Sequence, residues 1–394
     1  MINRMSSMMR MIFICSLMGA ISVPLVSATP VDLSAEWQVD PKYNANEAYC
    51  ELQNMVGVNS IMAYAIIKDG NIIAEGYGEG RSAAGIYQPW SVTKSIANII
   101  IGLMITNGDV AANDTLATIF PDPNDWINVS DAPAKMTLKL SELMSFTSGL
   151  TRGGLIIGYA TLREELASLM YEEENRETWI YLRDDHIFSW IIYKVTGMTP
   201  RQYALSLDFF TKLGINETEY NWGTFGVEPL KLETTAHSFQ TNVRQLAKFG
   251  QLYLQGGVAA PGGEQLIAPS WITESTTSQP EEGYPQGYLW YPTSRGYEAR
   301  GIFGQYISVI PSRNIVIAAL RRDCIGSSRG FIDAAHSRLD KLDNGVDGAC
   351  PESLWDRVVP DWAKVGMSLV TESVFGDDQS SLDYYPSNHH LRSP

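Results

Sequence analysis

The chain has 394 residues, of which 45% are hydrophobic and 19% charged, an ordinary globular composition with enough apolar mass for a large core. That length allows one large domain or two intimate subdomains. The formal charge of −15 argues against nucleic acid and anionic membrane surfaces as partners, because both would repel the protein.

Residues 1–28 read as a secretory signal peptide. Arg4 and Arg10 supply a positive start, an apolar stretch runs from Met11 to about Ile21, and Val26-Ser27-Ala28 places small residues at the cleavage positions. A membrane anchor is the alternative, but the run is short and is broken by Ser, Gly and Pro. The expectation is a periplasmic or secreted protein with no stable membrane insertion after cleavage. Three cysteines remain, Cys50, Cys324 and Cys350, with no zinc-motif spacing. Either Cys324 pairs with Cys350 in an oxidising compartment, or all three are buried thiols.

Residues 60–78 predict a β-hairpin, with Met62, Tyr64, Ile66, Ile72 and Ala74 alternating around Asp69-Gly70-Asn71. Helical periodicity then dominates at 91–106, 138–144, 186–195, 200–213 and 242–254. Strand patterning returns at 306–310 and 315–320, on either side of Pro311-Ser312-Arg313-Asn314, and an amphipathic helix is predicted near 331–342. From about Gly366 to Pro394 the chain is polar and aperiodic and reads as a loose tail. Strands at both ends with helices between them predict an α+β fold. Its main domain spans 29–365, with a sheet subdomain at about 45–90 and 285–350 and a helical subdomain at about 91–284. The cleft between the two is the default ligand site.

Chemistry concentrates at Trp90-Ser91-Val92-Thr93-Lys94-Ser95, which opens the apolar helix carrying Ile96, Ile99, Ile100, Leu103 and Met104. Positions i and i+3 share a helix face, so Ser91 and Lys94 can meet. Free N–H groups at the helix start can stabilise an oxyanion. A lysine desolvated on such a helix gives up its proton more readily and can serve as a base. The bland alternative is a serine that caps the helix and a surface lysine.

Three further blocks give the motif its context. Leu138 to Leu150 contains Leu143-Met144-Ser145-Phe146-Thr147-Ser148-Gly149-Leu150. Gln240 to Gly257 contains Leu246-Ala247-Lys248-Phe249-Gly250. The third is Glu298-Ala299-Arg300-Gly301-Ile302-Phe303-Gly304-Gln305-Tyr306-Ile307. In this order the four blocks resemble the serine β-lactamase-related hydrolases over about residues 45–325, and within them the 6-aminohexanoate-oligomer hydrolases and related esterases. The resemblance implies a β-lactamase/penicillin-binding-protein-like fold: an antiparallel sheet with flanking terminal helices and an inserted all-helical subdomain. It also implies Ser91 as nucleophile and Lys94 as its activator, with an ester or amide small molecule as substrate and no cofactor or metal. Tyr181, ahead of Val195-Thr196-Gly197, matches the family's catalytic tyrosine with one residue less spacing, and Arg183 stands where the family has Ser or Asn. An aromatic packing role is the alternative for Tyr181.

In the strand bordering the site, Phe303-Gly304-Gln305 matches the family's Lys- or His-led triplet, and the Tyr306 N–H matches the second oxyanion donor. Phe303 then replaces a cation that holds a substrate carboxylate. This favours neutral or apolar acyl groups over β-lactams, with Arg300 read as an outward-facing surface residue and a compensating cation as the alternative. D-alanyl peptidase or β-lactamase activity, and a non-catalytic wall-binding or sensor module, are the rival readings. Gly326-Ser327-Ser328-Arg329-Gly330 formally matches a nucleophile elbow, but only 66 residues follow Ser328 to supply the Asp, the His and their strands. His186, His237, His336, His389 and His390 form no zinc-binding pattern.

Overall fold

The computed structural model describes residues 28–40, 52, 55–56, 61–152, 159–182, 186–280, 284–322 and 329–343. The expected signal peptide up to residue 27, all four cysteines, Arg183, Ser328, the terminal histidine pair and the expected C-terminal tail lie outside the described residues.

A seven-stranded sheet is assembled from the two ends of the chain. Its strands are β1 (Gln38–Val39), β2 (Ile61–Lys68), β3 (Asn71–Tyr77), β10 (Tyr291–Thr293), β11 (Gly296–Gly301), β12 (Gln305–Ile310) and β13 (Ile315–Arg321). The order is β1-β3-β2-β13-β12-β11-β10, antiparallel throughout except for the two-residue β1, which runs parallel to β3. The β2–β3 turn forms where expected. Asp69 and Gly70 both adopt positive φ (50° and 77°), the mirror-image turn that matches strand twist.

Strand periodicity of two sorts the core into two layers. Val316, Ala318 and Leu320 of β13 join the larger cluster, while Ile315, Ile317 and Ala319 join the smaller one. The larger layer contains α1 (Val92–Asn107), α2 (Ile187–Thr196) and α3 (Val243–Leu254). The smaller is closed by α4 (Gly330–Asp343), which presents Phe331, Ile332, Ala335 and Leu339 on one face. α1 is buried on every side from Val92 to Met104 without interruption, so a helix in the middle of the core carries the nucleophile motif.

The helical insertion also contains three two-stranded ribbons: β4 (Ser148–Arg152) with β5 (Leu169–Arg176), β6 (Tyr220–Trp222) with β9 (Phe239–Thr241), and β7 (Thr224–Val227) with β8 (Leu230–Glu233). The helix expected over 200–213 is split into Pro200–Ser206 and Phe209–Lys212. Asp208 between them takes φ 52°, which an α-helix cannot contain. Among the described residues, no helix is long and apolar enough to cross a membrane.

Candidate active site

The turn before α1 sets the nucleophile. Trp90 adopts φ 51°, a left-handed conformation that costs a bulky residue about 1–3 kcal/mol. Val92 N–H donates to Pro89 O at 3.2 Å and Thr93 N–H to Trp90 O at 3.0 Å, closing the turn around Ser91. Ser91 stands at the cap position, yet its side chain makes no capping bond. Its Oγ is instead held by the Tyr181 hydroxyl at 2.9 Å, across 90 residues of sequence. The simple capping role is therefore not what Ser91 does.

Lys94 is 3% exposed, which also rules out the surface-lysine reading. Its Nζ donates to Ala236 O at 3.0 Å and lies 5.2 Å from the centroid of the Tyr181 ring. Tyr181 is half-buried and is fixed from the other side by Phe146, edge-on at 5.0 Å, a contact worth about 0.5–1.5 kcal/mol beyond its area. The Ile180 N–H donates to Phe146 O at 2.8 Å, so the Ser145–Thr147 loop and the Tyr181 segment are one unit. Ser91, Lys94 and Tyr181 thus converge, despite the odd spacing of Tyr181.

The sheet-side residues depart from expectation. Phe303 and Gly304 are not in a strand; they lie in the three-residue turn between β11 and β12, with φ 69° and 89°. The Phe303 ring meets Trp90 edge-on at 5.7 Å, so it packs on the nucleophile turn and does not replace a strand cation. Gln305 is fully buried, its amide donating to Arg321 O at 2.8 Å and accepting from Arg321 N–H at 2.9 Å, which leaves no reach toward substrate. Tyr306 is paired with Arg300 on one side and Ala319 on the other, and its ring belongs to the α4 layer. A backbone N–H inside a two-sided ladder is committed to the sheet, so Tyr306 is withdrawn as an oxyanion donor.

The strand end that touches the nucleophile turn is Gly301. A Cβ there would lie 2.3 Å from Pro89 O, so only glycine permits this approach. The next residue, Ile302, is 56% exposed. Among the described residues, neither the Ile302 nor the Ser91 N–H donates to another backbone group.

Arg300 is not an outward-facing surface residue. Its Nε donates to Glu298 at 2.8 Å, its Nη1 donates to the Tyr284 hydroxyl at 2.6 Å, and the guanidinium sits 4.7 Å from the Tyr291 ring centroid. Tyr284 stacks on Trp179 at 4.6 Å, and Trp179 lies 6.3 Å from Tyr181. These contacts run from Ser91 through Tyr181, Trp179, Tyr284 and Arg300 to Gly301 and back to Pro89, closing a ring of contacts beside the nucleophile turn. Burial pushes the Tyr291 phenol well above its ordinary pKa, and the Tyr181 and Tyr284 phenols add to that, so Tyr291 stays neutral. Burial pushes the Glu298 carboxyl up as well, but Arg329 and Arg300 outweigh it and hold it below its ordinary range. Trp290 is wholly buried against Tyr253.

The sequence reading missed Trp179, Tyr284 and the Ala236 carbonyl. No pattern marks them, since each is brought in by a loop remote from Ser91. Gly301 carried a readable signal: a glycine at a strand end, two residues from the turn aromatic. Among the described residues, no group of three or more His, Cys, Asp or Glu is placed to hold a metal.

A half-buried helix-start serine with a buried lysine one turn on, in contact with a tyrosine hydroxyl, is an arrangement like that of serine hydrolases with the β-lactamase fold. The chain belongs to the Beta-lactamase family, whose sequence pattern matches residues 55–322. It is 23% identical over 289 residues to a 6-aminohexanoate-dimer hydrolase from Paenarthrobacter ureafaciens, covering 66% of this chain and 71% of that one. Among solved structures, a family VIII carboxylesterase superposes with TM-score 0.56 at 14% identity, over 77% of this chain and 99% of its own. A class C β-lactamase from Rhodobacter sphaeroides gives 0.55 at 14%, over 76% and 99%. The two structures are about equally similar to this chain, so the fold alone does not choose between their reactions.

Proposed function

We propose that the protein is a serine hydrolase that opens an ester or amide bond through an acyl-enzyme on Ser91. The observation that carries this reading is the 2.9 Å contact between Ser91 Oγ and the Tyr181 hydroxyl, with the buried Lys94 Nζ beside the same ring. Ser91 Oγ attacks the substrate carbonyl carbon as its proton moves to the Tyr181–Lys94 pair. The pair starts that step one proton short, as phenolate beside ammonium or phenol beside amine, and ends it as neutral phenol and ammonium. The carbonyl oxygen, negative in the tetrahedral intermediate, is received by the Ser91 and Ile302 N–H groups. The leaving alcohol or amine takes the proton back from the pair, and water then releases the acyl group by the same steps in reverse.

The likeness to a 6-aminohexanoate-dimer hydrolase and to a carboxylesterase fold supports linear amides and short esters as substrates. The rim agrees, because Trp90, Trp179, Tyr284 and Phe303 offer apolar area to an aliphatic chain. Arg300 adds a cation at that rim, so carboxylate-bearing substrates are not disfavoured as Phe303 alone would suggest. Export through the 1–28 signal is part of the same proposal, supported by the charged start, apolar run and small cleavage residues.

The test is a hydrolysis panel on the protein lacking residues 1–28: p-nitrophenyl esters, the linear 6-aminohexanoate dimer, a D-Ala-D-Ala peptide and nitrocefin. Turnover of an ester or the dimer, abolished by Ser91→Ala, supports the reading. Stoichiometric fluorophosphonate labelling with no turnover of any substrate would overturn it in favour of a sensor. Nitrocefin as the best substrate would overturn the ester or amide assignment.

A further inference from the structure

Thr93 lies between the nucleophile and the lysine in sequence and faces neither of them as a reactant. It is fully buried, and its hydroxyl uses both of its capacities. Oγ1 donates to Trp90 O at 2.7 Å and accepts the Phe239 N–H at 3.2 Å. The first bond grips the residue whose left-handed backbone presents Ser91. The second grips the loop that runs from Ala236, whose carbonyl holds Lys94 Nζ, through Ser238, itself at φ 74°, into β9. Two strained backbone positions from segments nearly 150 residues apart are therefore tied to one hydroxyl.

We propose that Thr93 is a positioning residue that sets Ser91 and Lys94 in register with each other, acting through the Trp90 carbonyl and the Phe239 N–H. This rests on the reading of Ser91 and Lys94 as nucleophile and activator. The two strained turns hold their geometry only while the surroundings over-determine them. A change of about 1 Å between nucleophile and base is enough to slow acylation substantially. The hydrophobic shell of α1 supplies the burial of this site, but apolar packing alone has no direction. The hydroxyl supplies direction by fixing one donor and one acceptor at right distances on opposite sides of a buried side chain.

The experiment compares Thr93→Val, Thr93→Ser and the parent enzyme. Valine keeps the β-branched shape and removes both bonds; serine restores both. Each is read by kcat and KM on a p-nitrophenyl ester and by the single-turnover rate of fluorophosphonate labelling, normalised to the labelled fraction so that unfolded protein does not count. The expected result for Thr93→Val is a fall of about 10- to 100-fold in kcat and in labelling rate with KM within about threefold, and for Thr93→Ser most of the rate regained. A Thr93→Val enzyme that labels at the parent rate overturns the proposal, as does a loss that Thr93→Ser leaves uncorrected. If instead the parent enzyme is not labelled on Ser91 at all, it is the underlying functional reading that has failed.

Discussion

On the helical side of the cleft, Ser91, Lys94 and Tyr181 are held by apolar burial and a few directed bonds: Phe146 against the ring, Ala236 O on the ammonium, Thr93 on the turn. On the sheet side, the rim is a charged and aromatic lattice in which Arg300 and Arg329 share Glu298, and Tyr284 and Tyr291 embrace the guanidinium. In the proposed mechanism, the first wall holds the groups whose protons move. The second presents area and charge to whatever enters. Chemistry and selection should therefore be separable by mutation: changes on the helical side and at Ile302 act on kcat, and changes at the Arg300 rim act on the relative kcat/KM of different substrates.

The largest effect is expected at the nucleophile. Ser91→Ala should lower kcat by at least about 10⁴-fold with the circular dichroism unchanged. Lys94→Arg should not rescue Lys94→Ala in ester hydrolysis assays, because a guanidinium does not release its proton near neutral pH. Tyr181→Phe removes only the hydroxyl and should cost about 10²–10⁴-fold in kcat, whereas a packing role would leave kcat near the parent value. At the strand end that meets the nucleophile turn, Ile302→Pro deletes the proposed oxyanion N–H and should cost about 10²–10³-fold in kcat. An Ile302→Pro enzyme with the parent kcat would remove Ile302 from the oxyanion site.

Arg300→Gln should change selection. The ratio of kcat/KM for a p-nitrophenyl half-ester of a dicarboxylic acid to that for the matched neutral ester should fall about tenfold. An unchanged ratio would break the division between the two walls.

The smallest effect lies behind the rim, at His336 on α4. Burial lowers its pKa, with the nearby Arg295 charge next in weight, so the folded protein holds the imidazole neutral. Between that lowered value and about 6.5 the unfolded chain binds the extra proton, so stability falls as pH drops through this window. His336→Gln should flatten that part of the Tm-against-pH curve and leave the alkaline side alone.

Much of this was legible in the sequence where the cause is local. An i, i+3 pair on an apolar helix needs no long-range information, so Ser91 and Lys94 could be read directly, and Asp69-Gly70 named its own turn. The reading failed where register decides. A displacement of about four residues, from Tyr306 to the proposed donor Ile302, put Phe303 and Gly304 in a turn, turned Gln305 onto Arg321, and left Gly301 as the residue against Pro89. Asp208 carries no pattern that announces φ 52°, so one expected helix was in fact two. Trp179 and Tyr284 were unreadable for a different reason, because they meet only when two loops about 100 residues apart close on each other.

The central claim is that Ser91 forms the covalent bond. Intact-protein mass and peptide mapping after fluorophosphonate treatment test it most directly. The account predicts a single adduct on Ser91, formed at a rate that Tyr181→Phe and Lys94→Ala both slow. An adduct on Ser328, or none on a protein that still hydrolyses esters, would contradict it.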